Sequence, residues 1–189
     1  MNELVLLAAL LRGPAYGYAL KKTAGLIFGS RALHSNLVYP SLKKFVRNGW
    51  VEQSTKTQGE RGQQRKQYRI TAAGKEYLLE RLGSFDDLEA GDDGAFLFRV
   101  AFFDALPIAK RMAMIAARKS FLSSRAAQLA KLSEATEPKS FGAVALERVR
   151  NLVADELRWI RQLERKLETR KGDLQCKQLL TVPVTARRS

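Results

Sequence analysis

Apolar residues recur at helical spacing from the start of the chain, where Leu4, Leu7, Ala8 and Leu11 stand at i, i+3, i+4 and i+7. Gly13 and Pro14 end that pattern. The spacing predicts a second helix over residues 15–27, with Leu20, Ala24 and Ile27 on one face. Gly17 and Gly25 each weaken it by about 1 kcal/mol relative to alanine. A third helix is expected from the N-cap Ser35 to residue 48, with Val38, Leu42, Phe45 and Val46 inward and Gly49 as its stop. Pro40 falls past its first turn, which predicts a late start or a local bend. Two extended runs follow, residues 50–55 and 67–70, flanking the polar segment KTQGERGQQRK. Thr71 then caps a fourth helix whose Leu78, Leu79 and Leu82 return to the core.

Residues 83–94 read GSFDDLEAGDDG, with five acidic residues and no basic one, and this predicts a boundary. Beyond it the clearest element is a helix over residues 140–171. Leu146, Val149, Val153, Ile160, Leu163 and Leu167 keep alternating spacings of three and four there, and only Glu156 breaks the stripe. Such a helix would be about 45 Å long at 1.5 Å per residue, longer than a small core needs, so a second subunit is expected against it. The expected organisation is residues 1–83 as one domain, 84–94 as an acidic linker, 95–171 as a helical domain and 172–189 as a flexible tail.

Charge sharpens the picture of the first domain. The chain has 189 residues, a net charge of +14 and an isoelectric point near 10.2. Lys and Arg outnumber Asp and Glu by 14 to 5 before residue 84 and by 19 to 14 after it. A polyanionic partner, nucleic acid or an acidic membrane, is favoured. No apolar run approaches the roughly 18 residues that a membrane span needs. Cys176 is the only thiol and His34 the only imidazole, so the chain cannot assemble a Cys/His zinc site by itself. Neither a GxSxG elbow nor a phosphate-binding loop of the GxxxxGK[ST] type is present. The expectation is a non-enzyme with no catalytic residue, no metal and no cofactor.

Three helices, a hairpin and a helix form the order of a winged helix-turn-helix, in which the third helix enters the major groove and the hairpin tip tracks phosphates. The outer face of the third helix carries Asn36, Tyr39, Pro40, Lys43 and Arg47 at i, i+3, i+4, i+7 and i+11. The DNA-binding set expected from this order is Ser35, Asn36, Tyr39, Lys43, Lys44 and Arg47 on the helix, with Lys56, Arg61, Gln64, Arg65 and Lys66 on the wing. Asn36 suits adenine and Lys43 guanine, whereas the wing cations suit the backbone. Tyr39 could donate to a phosphate or stack internally. An ordinary solvated helix face is the plainer reading of the stripe.

The first 82 residues resemble the PadR family of transcription regulators, motif by motif. A GP-x-x-GY turn after the opening helix is similar to LLAALLRGPAYGYAL, with Gly13, Pro14, Gly17, Tyr18 and Leu20 in place. A Tyr-Pro pair followed by Leu and basic residues is similar to LVYPSLKKFVRNGWVE, and RKQYRITAAGKEYL resembles the family's wing strand and next helix. The resemblance implies a mainly α fold with a small β-hairpin wing. It joins an N-terminal winged helix-turn-helix to a C-terminal α-helical dimerisation domain, whose seam would be the residues from Leu146 to Leu167 given above. It implies a cytoplasmic homodimer that binds double-stranded DNA at a palindromic operator as a repressor. Phenolic or flat hydrophobic effectors are sensed in this family, and Phe96 and Trp159 are the candidate effector residues, with simple core packing as the alternative. The rival function is a winged-helix protein-interaction module without specific DNA binding; a membrane-surface role is weaker, since the apolar stripe has the width of a helix seam.

Overall fold

The computed structural model describes residues 2–20, 22, 35–58 and 64–169. They fall into two compact units that divide between Ser84 and Phe85. Helices dominate both, and the first also holds a three-stranded antiparallel sheet.

In the first unit α1 spans Asn2–Ala9 and tightens into a 3-10 turn at Leu10–Arg12. Leu4, Val5, Leu6, Leu7, Ala8 and Leu10 are all buried. A helix apolar on every side must sit inside its unit, so α1 is the central element and not a half-exposed helix with one apolar stripe. Gly13, at φ +128°, ends the turn in a backbone region open to glycine.

The next residues correct the sequence reading. Ala15–Tyr16 form a strand, β1, and the helix α2 is described over residues 17–20, with Leu20 buried. β1 covers one edge of the sheet, pairing Ala15 with Tyr68 and Tyr16 with Gln67. That edge would otherwise present unpaired backbone groups, which outweighs the weak helical signal of these two residues. Ala24 and Ile27 lie outside the described residues.

α3 spans Ser35–Arg47, β2 Val51–Gln58, β3 Gln64–Ile70 and α4 Ala72–Leu82. Both strands of the hairpin run further than expected. Val51 faces Ile70 and Gln53 faces Tyr68, and the register shifts between Ser54 and Thr57. Thr71 fastens the hairpin to α4: its hydroxyl donates to the Gly49 carbonyl at 2.7 Å and accepts from the Gly74 amide at 3.0 Å. A Cβ on Gly74 would lie 2.0 Å from the Trp50 carbonyl oxygen, so only glycine lets α4 approach this closely. Trp50 stacks on Tyr77 with ring centroids 3.6 Å apart.

In the second unit the expected acidic linker is instead folded. Asp86 caps α5, Asp87–Ala90, by accepting from the Glu89 amide, and Asp92 caps α6, Asp93–Val100, by accepting from Ala95. The acidic residues complement helix N-termini, which is why a segment that reads as a spacer is structured. A 3-10 turn at Phe103–Ala105 leads to α7, Ile108–Glu134, and a short turn leads to α8, Phe141–Thr169. The pairs Ser133–Arg150 and Lys119–Glu164 show that α7 and α8 run in opposite directions. The expected tail lies outside the described residues.

Three arginines sit inside this unit. Arg118 is fully buried and donates to Glu156 Oε1 at 2.8 and 2.6 Å, to the Ala90 carbonyl at 2.6 Å and to Asp93. Arg99 is equally buried, pairs with Glu89 at 2.6 Å and lies over the Phe85 ring. Arg111 donates to the Leu106 carbonyl at 2.6 Å. Glu156, the one polar break in the stripe of α8, is therefore the counter-ion of Arg118.

The stripe itself is used within the chain. Val153, Ile160 and Leu167 are buried in a single copy, and Leu146, Val149 and Leu163 are partly covered. Their spacing is that of a helix seam, but α7 supplies the opposing helix, an arrangement that periodicity cannot tell from a seam between subunits. What α8 leaves exposed is a different set: Phe141, Val144 and Leu152.

Candidate nucleic-acid interface

α3 is held by its inner face. Val38, Leu42 and Phe45 have almost no exposed surface, while Val46, expected inward, stands at the rim. The helix starts at Ser35, ahead of Pro40, so the proline delays nothing. Its ring is on the exposed side, and the one lost backbone bond falls near the helix start.

The far end is closed by a Schellman turn. The Trp50 amide donates to the Phe45 carbonyl at 2.9 Å and the Gly49 amide to Val46 at 3.1 Å, with Gly49 at φ +72°. Phe45 and Trp50, whose rings lie 6.0 Å apart, provide the hydrophobic contact that accompanies such a turn.

With the inner face fixed, the outer face presents Tyr39, Pro40, Lys43 and Arg47, all exposed. Neither Lys43 nor Arg47 takes part in an ion pair among the described residues. Lys44 departs from the expected set. Its ammonium lies 2.9 Å from both carboxylate oxygens of Glu3 on α1, about 100° round the helix from Lys43. Sequence spacing alone could not reveal that counter-ion, which is 41 residues away.

The ring of Tyr39 rests against the first residue of α2. A Cβ on Gly17 would lie 3.0 Å from Tyr39 Cε1 and 3.5 Å from its Cζ. Even so, Tyr39 is 56% exposed, so its ring is seated without being buried. Tyr68 on β3 is the second phenol here: burial raises its pKa first, and the neighbouring Tyr39 raises it further. Both expected roles of Tyr39 are thus compatible, since an internally packed ring keeps exposed surface. The role of Gly17 was missed from sequence, although a glycine at a helical position, with its cost in helix propensity, was the available signal.

On the wing, Lys66 of β3 is exposed. Lys56, Gln64 and Arg65 lie on β2 and β3, and Thr57 pairs with Arg65. Arg61, and the side chains of Ser35, Asn36, Lys56, Gln64 and Arg65, lie outside what the structure describes. The outer face of the sheet also forms a shallow cavity of about 300 Å³ lined by Pro14, Glu52, Ser54, Gln67 and Arg69, among others.

The two effector candidates meet in the second unit, where the rings of Phe96 and Trp159 lie edge to face at 6.0 Å. Phe85 and Phe103 pack on the same ring, and the Arg118 guanidinium lies 5.8 Å from its centroid. Phe96 has no exposed surface. In this conformation it is packed among Phe85, Phe103, Trp159 and Arg118 and does not face solvent.

Among the described residues no group of three His, Cys, Asp or Glu is placed to hold a metal, and no helix is long and apolar enough to cross a membrane.

Residues 6–80 match the model of the Transcriptional regulator PadR-like family. A transcriptional regulator from Thermoplasma acidophilum of known structure is 34% identical over 42% of this chain and 74% of its own, with a TM-score of 0.38. The crystal structure of Bacillus subtilis PadR in complex with operator DNA is 19% identical over 88% of this chain and 96% of its own, with a TM-score of 0.43. The same protein in complex with p-coumaric acid is 17% identical, covering 88% and 94%, with a TM-score of 0.37. No curated protein matches the chain.

Proposed function

The chain belongs to the Transcriptional regulator PadR-like family, and on that premise we propose that its first unit binds double-stranded DNA, with α3 in the major groove and the β2–β3 wing along the backbone. The observation that carries this is the exposed stripe of Tyr39, Lys43 and Arg47 on a helix whose opposite face is pinned by Val38, Leu42 and Phe45. A rigid helix presenting cations and a phenol to solvent matches the geometry and chemistry that groove binding requires. Lys66, with Lys56, Arg61, Gln64 and Arg65 along the wing, would neutralise phosphates. Ser35 and Asn36 would stand at the groove-entering end of α3.

The protein acts in this reading as a cytoplasmic homodimer on a palindromic operator, and as a repressor. The face offered to a second copy would combine Leu146, Val149 and Leu163, which α7 leaves partly exposed, with the exposed apolar residues Phe141, Val144 and Leu152 of the same helix, while Val153, Ile160 and Leu167 hold α8 within its own unit. A small aromatic effector would have to open the cluster around Phe96, and Trp159, half-buried at its edge, is the ring that would move.

Equilibrium binding of the full chain to its own upstream DNA, followed across a salt series, tests the reading. If a dimer neutralises roughly eight phosphates, log affinity falls against log salt with a slope near -7. A salt-independent affinity, together with recovery of a stoichiometric acidic protein, would support the protein-interaction module instead.

A further inference from the structure

We propose that Gly17 is a positioning residue for DNA binding: its missing side chain is the seat that aims the Tyr39 hydroxyl at a backbone phosphate. The inference rests on the reading of α3 as the DNA-facing helix. It adds a residue that touches no DNA itself.

The seat is defined by contact. An ideal Cβ at position 17 would approach Tyr39 Cε1 to 3.0 Å, well inside the roughly 3.5 Å at which carbon atoms pack comfortably. Leu42 Cδ1, at 3.6 Å from the same point, would be in ordinary contact. Gly17 shows no positive φ that would require glycine for the backbone's sake. Its position is helical, where alanine is the better former. The backbone thus gives no reason for glycine here, and the Tyr39 ring does.

The rest of the ring's surroundings fit a directed hydroxyl. Leu42, beside the same seat, is wholly buried, so its side chain cannot give way and an added methyl must be accommodated by the ring. Tyr68 is buried on β3 and feels Tyr39 electrostatically, which places a second phenol nearby. A displacement of about 0.5 Å at Cε1 is carried outward to the hydroxyl. That equals the whole tolerance within which a binding group must be held.

The test measures Gly17→Ala, Tyr39→Phe and the double variant in the full chain. The readouts are anisotropy with a fluorescent mixed-sequence duplex at low salt and the thermal unfolding midpoint. The expected result is an affinity loss of about tenfold for Tyr39→Phe, as for a hydrogen bond to a charged acceptor. Gly17→Ala should lose several-fold, and the double variant should lose no more than Tyr39→Phe alone. The unfolding midpoint of Gly17→Ala should stay level or rise, opposite in sign to its effect on binding. Wild-type affinity in Gly17→Ala beside an impaired Tyr39→Phe overturns the positioning role. So does a fall of affinity and midpoint together that persists in the Tyr39→Phe background. Wild-type affinity in both single variants removes Tyr39 from the interface, and no binding of the duplex by the unaltered protein removes the DNA reading itself.

Discussion

In the winged-helix unit the cations stand outside: Lys43, Arg47 and Lys66 are exposed on α3 and β3, above an inner layer of Val, Leu and Phe. In the second unit Arg99, Arg111 and Arg118 lie inside, their guanidinium groups bonded to carbonyls, carboxylates or both, and two of them lying over aromatic rings. Cations are left to solvent in one place and serve the chain's own packing in the other. All three interior cations are arginines, whose several fixed donors can be satisfied in a crowded interior more readily than a flexible ammonium's, whereas Arg47 on α3 meets no carboxylate among the described residues. A net charge of +14 is consequently not one reservoir available to a polyanion.

Breaking the interior half of this contrast should have the largest effect. Arg118→Ala strands Glu156 without its partner and should cost about 3–5 kcal/mol in urea unfolding of the full chain, with DNA binding by the first unit retained at low denaturant. A loss below about 1 kcal/mol would mean that the network is no more than a surface pair. Next in size is Gly74→Ala. The new methyl would meet the Trp50 carbonyl, a backbone atom that cannot step aside, and should lower stability by about 3 kcal/mol. Here it is the first unit that unfolds early, which circular dichroism against temperature would detect. The smallest effect compares two neighbours on α3. Lys43→Ala should reduce the salt slope of the dimer by about 2, one for each protomer, and leave stability unchanged. Lys44→Ala should barely change the slope and lose at most about 1 kcal/mol through its pair with Glu3. Equal slopes for the two variants would erase the distinction between an offered and an occupied cation.

These neighbours also show where sequence reading stops. The run from α3 through the hairpin to α4, the caps at Thr71 and Gly49 and the inward Val38, Leu42 and Phe45 of α3 could be read because each depends on near neighbours, whereas Val46 stands at the rim. Lys44 could not be placed, because what turns it aside is a carboxylate on another helix. The same holds for Glu156, which breaks an apolar pattern until Arg118, 38 residues away, is brought to it. Ala15 and Tyr16 were misread as helix because the strand edge that captures them forms only after β3 is in place. The stripe on α8 had the right period, yet a period does not say whether the opposing helix belongs to the same chain.

Gly49 and Trp50 connect α3 to β2 through a turn with both reversed amide bonds made and an aromatic pair closing it. No slack lies between the two elements. Once either is seated on a ligand, the orientation of the other is already decided, and its own contacts form as if within one molecule, with little further loss of freedom. Helix and wing strand are therefore joined like two prongs of a single casting, and on the proposed reading a site with altered spacing between groove and backbone contacts would be refused as a whole.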